Sequence, residues 1–242
     1  MHLLGKLGES RKKLNGVLEK ARSVSDKALM IECFLLEAKI HYSSRNYPAA
    51  RSSITSCRSN SATAYVRPLL QADIDRTVGL IYLAEDDHGV AFSYFHESLE
   101  VLHKHGHAKE AAQLFDYMLV CKLVGGQTKE AEKLVRGRYG VEYSNEDSTV
   151  LLILKAYESR SLVRLNKVIA ERGAEIDSDG VLQRQIRRLY DKLLSQNVLK
   201  LVKPYNRVQI GHLSRELGVP TAEVEAKLCE MILDEKLRAV ID

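Results

Sequence analysis

Three gapless stretches constrain the fold of this chain more than any other feature: Ala38–Ala50, Gly79–Ala91 and Leu119–Ala131. In each, a bulky apolar residue stands four positions in (Tyr42, Leu83, Leu123) and a polar turn follows (Arg45-Asn46, Asp86-Asp87, Gly126-Gln127). An alanine closes each stretch, and another apolar residue comes four positions later: Ile54, Phe95 and Val135. The units recur about every 40 residues, a period that signals a repeat architecture. A small residue at a fixed place lets two helices approach closely, and the polar turn reverses the chain between them. The spacing therefore predicts stacked helical hairpins.

Helical periodicity supports the hairpins. Leu29, Cys33, Leu36 and Ile40 fall at the spacing of one helix face, as do Ala91, Phe92, Phe95, Leu99 and Leu102, and again Leu114, Met118, Cys121 and Leu123. Pro48 and Pro68 stand where first-turn prolines are tolerated. Leu, Ala, Glu, Lys and Arg dominate, with only 4 prolines and no tryptophan, a mixture that favours helix. The reading is an all-α solenoid over residues 1–175.

Near residue 175 the pattern changes. Asp177-Ser-Asp-Gly180 predicts a turn, followed by a helix from about Val181 to Gln196. Val198–Val202 alternates and reads as a strand that Pro204 blocks. A helix is expected over Val208–Leu217, capped by Gly218, and another opening at Pro220-Thr221 with Val224, Leu228, Met231 and Ile232 on one face. Leu237–Asp242 reads as a second strand. The order helix, strand, helix, helix, strand is that of a winged helix with a small β-sheet, assigned to residues 176–242.

The segments Pro204–Ser214 and Val224–Leu237 resemble the winged helix of PCI domains, a family shared by the proteasome lid, the signalosome and translation initiation factor three. Leu70–Asp75, Ala91–Glu97 and Tyr117–Lys122 resemble repeat helices of the lid members of that family. The resemblance covers roughly residues 30–242. It implies TPR-like hairpins followed by a PCI winged helix, and a non-catalytic scaffold in the lid of the proteasome regulatory particle. Winged helices of neighbouring PCI subunits would pack side by side, while the solenoid arm braces the particle against the core. The implied partners are other PCI lid subunits, the ATPase ring and the core-particle α-subunits, in cytoplasm and nucleus. Measured against the family, the chain is short in N-terminal repeats. It also stops at Asp242, before the second wing strand and the C-terminal helix. Docking is expected through Tyr205, Arg207, Val208, Gln209, Ile210, Leu237 and Val240, the last two on an unpaired sheet edge. The signalosome counterpart, or a repeat adaptor that binds RNA on a basic face, would share much of this pattern.

Other chemistries find little support. A net charge of +4 over 242 residues is too small to argue for a nucleic acid or a membrane surface. A winged helix can place its third helix in DNA. Here Thr221–Lys236 carries Glu223, Glu225, Glu230, Asp234 and Glu235 against Lys227 and Lys236, the reverse of what phosphates need. Arg184, Arg187, Arg188 and Lys192 lie at helical spacing and read as a solvated face. His103-Lys-His-Gly-His107 is the one constellation with metal-ligand character, and His103, His105 and Asp116 partly fit the spacing of the lid's zinc deubiquitinase. The serine that motif requires is replaced by Gln113, so an inter-helix loop is expected instead. Gly125-Gly126 lacks the rest of a phosphate loop, and no catalytic, metal or cofactor site is assigned. Cys33, Cys57, Cys121 and Cys229 form no CxxC pair and are read as buried free thiols. No apolar run reaches the length of a membrane span, and the start Met1–Lys6 lacks the pattern of a secretory signal.

Overall fold

The computed structural model describes Leu14, residues 16–144 and residues 148–240; the expectations for Met1–Lys6 and for the last two positions lie outside the described residues. Among the described residues all regular structure is α-helical. The chain forms two compact units. One comprises the chain through Gly125 together with Leu134–Tyr143; the other comprises Gly126–Lys133 and the chain from Ser144 onward.

The first unit is built from α1 (residues 16–24), α2 (Lys27–Ser43), α3 (Tyr47–Ser61), α4 (Pro68–Ala84), α5 (His88–Lys104) and α6 (Ala108–Val124). Helix α7 (Thr128–Arg136) begins in the second unit and ends in the first, which α8 (Arg138–Tyr143) completes. Neighbours in sequence pack on one another, α2 on α3, α3 on α4, α4 on α5 and α5 on α6.

One turn recurs between these helices. At Ser25, Arg45, Asp86 and Gly106 the backbone becomes left-handed, with φ between 58° and 75°. The next residue's N–H then reaches the carbonyl five positions back, Asp26 to Ala21, Asn46 to His41, Asp87 to Tyr82 and His107 to Leu102, at 2.9–3.0 Å. This pairs carbonyls that a helix end would otherwise leave bare. Asp26, Asn46 and Asp87 also start the following helix, accepting from the backbone N–H of Leu29, Ala49 and Val90. One residue both locks the finished helix and caps the new one, so the chain reverses within a few residues.

The repeat positions do what their size predicts. Ala50, Ala91 and Ala131 are wholly buried. At Gly79 an added Cβ would lie 2.5 Å from Cε1 of Phe95, so the missing side chain makes room for the ring. Phe95 is itself fully buried, its ring 5.5 Å from that of Tyr117. A layer of rings joins the hairpins: Arg51 lies over Tyr82, Tyr82 stacks on Tyr94 at 6.0 Å, and Arg58 lies over Tyr94. Each ring of the stacked pair thus has a guanidinium over it.

The predicted stripe of α2 is rotated. Ile31, Cys33, Phe34, Leu35 and Ala38 are buried, whereas Leu29 and Leu36 are exposed and Ile40 is half-buried. Apolar residues surround much of α2, so periodicity alone does not select the inward side; packing on α3 and α4 does.

The second unit contains α9 (Thr149–Glu158), α10 (Leu162–Glu171), α11 (Gly173–Ser178), α12 (Gly180–Val202), α13 (Ile210–Leu217) and α14 (Thr221–Leu233). The same turn joins α9 to α10: Arg160 has φ 50°, Ser161 N–H bonds the Ala156 carbonyl, and the Ser161 hydroxyl accepts from Arg164 N–H. The expected turn before α12 is a short helix whose exit residue, Asp179, caps α12 through Val181 and Leu182. Helix α12 is the spine on which α10, α11, α13 and α14 pack. Leu189, Leu193, Leu194 and Val198 form its buried stripe.

The β-sheet is the main correction. Val198–Val202 is the last turn of α12, not a strand. Five residues are too few for alternation to override the stripe already running through Leu189, Leu193 and Val198, and no breaker interrupts it before Pro204. Residues 238–240 are irregular, without strand pairing among the described residues. Helix α13 begins at Ile210, two residues later than expected.

Candidate protein-interaction site

The best-defined local geometry in the second unit is the helix pair α13–α14 on α12. Leu213 and Leu217 point inward from α13, and Val224, Leu228 and Met231 from α14. Gly218 takes the left-handed cap at φ 65°, as its place in the sequence predicts. Val219 N–H bonds the Ser214 carbonyl, and the Ser214 hydroxyl donates to the Val219 carbonyl at 2.6 Å. Behind this pair, burial and the Glu223 carboxylate push the Tyr190 phenol up to about 12. A hydrogen bond from Asn166 links the same phenol to α10.

Two segments flank the helix pair. Lys203–Gln209 leads into α13 and is largely exposed, with Tyr205 53% exposed and Arg207 and Gln209 open to solvent. Val208 and Ile210 are half-buried. After α14 the chain turns at Glu235 (φ 57°), where Lys236 and Leu237 both donate to the Met231 carbonyl. Leu237 is half-buried and Val240 projects, 88% exposed. Since α13 packs on α14, the seven residues expected to dock lie at the entry and exit of one helix pair.

Sequence reasoning missed a third component. Ala222, Ala226, Cys229 and Leu233 run down the outer face of α14 and are all exposed, Leu233 at 83%. Their spacing of four, three and four residues is a second apolar stripe, hidden in the sequence behind the stronger inward one. Cys229 is thus not the buried thiol expected. Cys33, Cys57 and Cys121 are buried, and burial pushes Cys57 up to about 11 and Cys121 up to about 12, which keeps both protonated.

The charge on this surface is acidic. Lys227 pairs with Glu230 at 2.9 Å and Lys236 with Asp234 at 2.8 Å, so both bases of the third helix region are taken by carboxylates. Glu225 and Glu235 remain exposed beside them. Such a helix repels phosphates. The basic row on α12 is less solvated than expected: Arg187 is exposed, but Arg184, Arg188 and Lys192 are half-buried and engaged in contacts of their own.

The histidine run resolves into packing. His103 Nδ1 lies 2.7 Å from the Tyr143 hydroxyl and 3.2 Å from Glu142, and Arg138 donates to Nε2 at 3.2 Å. Its ring stands edge-on to Tyr139 and Tyr143. His105 bonds the Val101 carbonyl, and His107 lies 4.0 Å from Glu110. Among the described residues no cluster of three or more metal-ligating side chains occurs. No helix there is long and apolar enough to cross a membrane.

Comparison with known proteins fits this geometry. The PCI domain family matches residues 167–242, from within α10 through the helix pair. Over 230 residues the chain is 32% identical to the "Probable 26S proteasome regulatory subunit rpn6" of Schizosaccharomyces pombe, covering 95% of this chain and 55% of that protein. It is 35% identical over 231 residues to the "26S proteasome non-ATPase regulatory subunit 11" of Dictyostelium discoideum, covering 95% and 56%. The Saccharomyces cerevisiae "26S proteasome regulatory subunit RPN6" is 30% identical over 234 residues. The chain thus spans about half the length of the curated relatives it matches. Among lid subunits, the repeat and winged-helix motifs most resemble non-ATPase regulatory subunit six; the relatives carry the number six as rpn6, but are numbered 11 in the non-ATPase series. Residues 167–242 thus match the PCI domain family, and along 95% of its length the chain is similar to these 26S proteasome regulatory subunits.

Proposed function

We propose that this chain is a non-catalytic structural subunit of the proteasome regulatory particle lid, acting in ubiquitin-dependent protein degradation. Likeness to regulatory and non-ATPase subunits along 95% of the chain is the observation that carries this reading. Its partners are other PCI lid subunits, the ATPase ring and the core-particle α-subunits, with neither DNA nor membrane involved. It works in cytoplasm and nucleus. The helical repeats act as the arm that braces the regulatory particle against the core.

Docking runs through the PCI helix pair. Tyr205, Arg207, Val208, Gln209 and Ile210 approach a neighbour from one side, and Leu237 and Val240 from the other. The small sheet of the winged helix forms when residues 238–240, irregular and exposed in the isolated chain, pair with a neighbouring strand, to which their backbone offers donors and acceptors. The repeats over residues 1–175 and the winged helix over residues 176–242 divide these two tasks.

Cross-linking mass spectrometry on complexes isolated through a tag on the endogenous chain tests the docking face. The expected result is lysine cross-links from Lys203 and Lys236 to other PCI-bearing regulatory subunits. Cross-links confined to residues before Gly125 would show that the docking face has been misplaced.

A further inference from the structure

Two residues of the apolar stripe that the sequence assigns to the core of α2, Leu29 and Leu36, face solvent instead and border a charged cavity. On α2, Leu29, Glu32, Leu36, Lys39 and Ser43 follow one another at helical spacing; on α4, Leu69, Asp73, Arg76 and Leu80 do the same. The two rows are bridged by Arg67–Glu32 at 3.3 Å and Lys39–Asp73 at 2.6 Å, so they form one continuous face of the first unit. Leu29, Leu36 and Leu69 on this face are 37%, 51% and 40% exposed. Beyond the leucines, Lys39, Tyr42, Ser43, Asp73, Arg76 and Leu80 line an open cavity of about 320 Å3.

The charges in the cavity do not balance. Asp73 is taken by Lys39, which leaves Arg76 without a carboxylate among the described residues. Its guanidinium is half-buried and donates to Gln113 Oε1 at 2.9 Å, and Gln113 in turn donates to the Tyr117 hydroxyl at 2.8 Å. This neutral chain fixes the guanidinium without neutralising it, and most of its five N–H donors remain for a ligand. One excess positive charge matches one carboxylate; the paired leucine positions match apolar side chains of the same segment.

We propose that this face of α2 and α4 binds an acidic, leucine-containing segment of a partner protein, with an internal glutamate or aspartate carboxylate on Arg76 and apolar side chains on Leu29, Leu36 and Leu69. A segment that runs past the cavity, rather than one that ends in it, accounts for the exposed leucines on one side. The site is independent of the PCI helix pair, so it stands or falls separately from lid membership.

The full chain is titrated, by fluorescence anisotropy, into a fluorescein-labelled, C-terminally amidated peptide of alternating leucine and glutamate pairs. The same peptide with glutamine for glutamate serves as comparison. Salt-sensitive binding of the glutamate peptide is expected, weakened about tenfold for the glutamine peptide and about tenfold by Arg76→Gln. Leu36→Ser weakens it as well, Arg76→Lys by less than Arg76→Gln, and Arg187→Gln, at an exposed position of α12, leaves it unchanged. Thermal melts of each variant exclude unfolding as the cause. Equal binding of both peptides, loss with Arg187→Gln as large as with Arg76→Gln, or no binding of the glutamate peptide would each overturn the proposal.

Discussion

At the scale of single residues, the fold depends on a few positions where size or charge leaves no latitude. Gly79 is one. A methyl group there would stand 2.5 Å from the buried Phe95 ring. Gly79→Ala is expected to lower stability by about 1–3 kcal/mol, and Phe95→Leu in the same chain should recover part of the loss, because the ring that clashes is gone. Equilibrium urea unfolding of the two single variants and the double variant measures that coupling. Asp75 is the opposite case, a residue whose charge costs stability. Its carboxylate is buried and, among the described residues, accepts only the Gln71 amide, at 3.0 and 3.1 Å; burial pushes it up to about 6. An acid raised in the folded state holds its proton where the unfolded chain has lost it. Its contribution to stability therefore falls as pH rises from about 4 to about 6 and stays low above that. Asp75→Asn keeps the shape without the charge, so it should stabilise at pH 7 by about 1–3 kcal/mol and remove that part of the pH dependence. Melting temperatures of wild type and variant across pH 4–8 would show the curves converging toward the acid end. These details were not legible in the sequence: position 79 opens a repeat whose other first residues are Ala38 and Leu119, so nothing there reserves room for a ring, and nothing near Asp75 announces its burial.

At the scale of elements, the turns were the most legible feature and the strands the least. Arg45-Asn46, Asp86-Asp87 and Gly126-Gln127 were identifiable because left-handed exit and side-chain cap need polar or flexible residues in adjacent places. The structure puts a positive φ at Arg45, Asp86 and Gly126. Arginine pays for that conformation with a crowded Cβ, so Arg45→Gly should raise stability by up to about 1 kcal/mol, less its extra freedom in the unfolded chain. Asp87→Ala should cost about 1 kcal/mol, since the Val90 N–H loses its acceptor while the helix loses its start signal. Chemical denaturation of both variants gives opposite signs if the turn works as described. Val198–Val202 misled because a short apolar run fits two periods at once, and only the length of α12 decides between them. The stripe of α2 misled for a related reason. A helix with apolar residues on several sides does not reveal from its own sequence which side meets a neighbour.

At the scale of the whole molecule, the assignment rests on the order of several weak signals more than on any one of them. Repeats, then α12, then the α13–α14 pair with its glycine cap, appear in the order that the PCI resemblance implies, and the family match falls on residues 167–242. The residues expected to dock were chosen from the sequence as the approach to the PCI helix pair; the apolar outer face of α14 was not legible, because the inward stripe dominates its pattern. Placing a charge at half-buried Ile210, the first residue of α13, should therefore disturb association before it unfolds the chain. Ile210→Asp is expected to reduce recovery of partner subunits several-fold with a melting temperature lowered by only a few degrees, consistent with a partly desolvated charge. Recovery unaffected by that variant would move the interface elsewhere on the domain.

Mild affinity isolation of the endogenous tagged chain, with co-isolated proteins quantified by mass spectrometry, tests the central claim most directly. Lid subunits and the proteasome ATPases in near-equal amounts to the chain is the predicted result. A small set of PCI proteins without ATPases or core particle, or RNA without either, would contradict it.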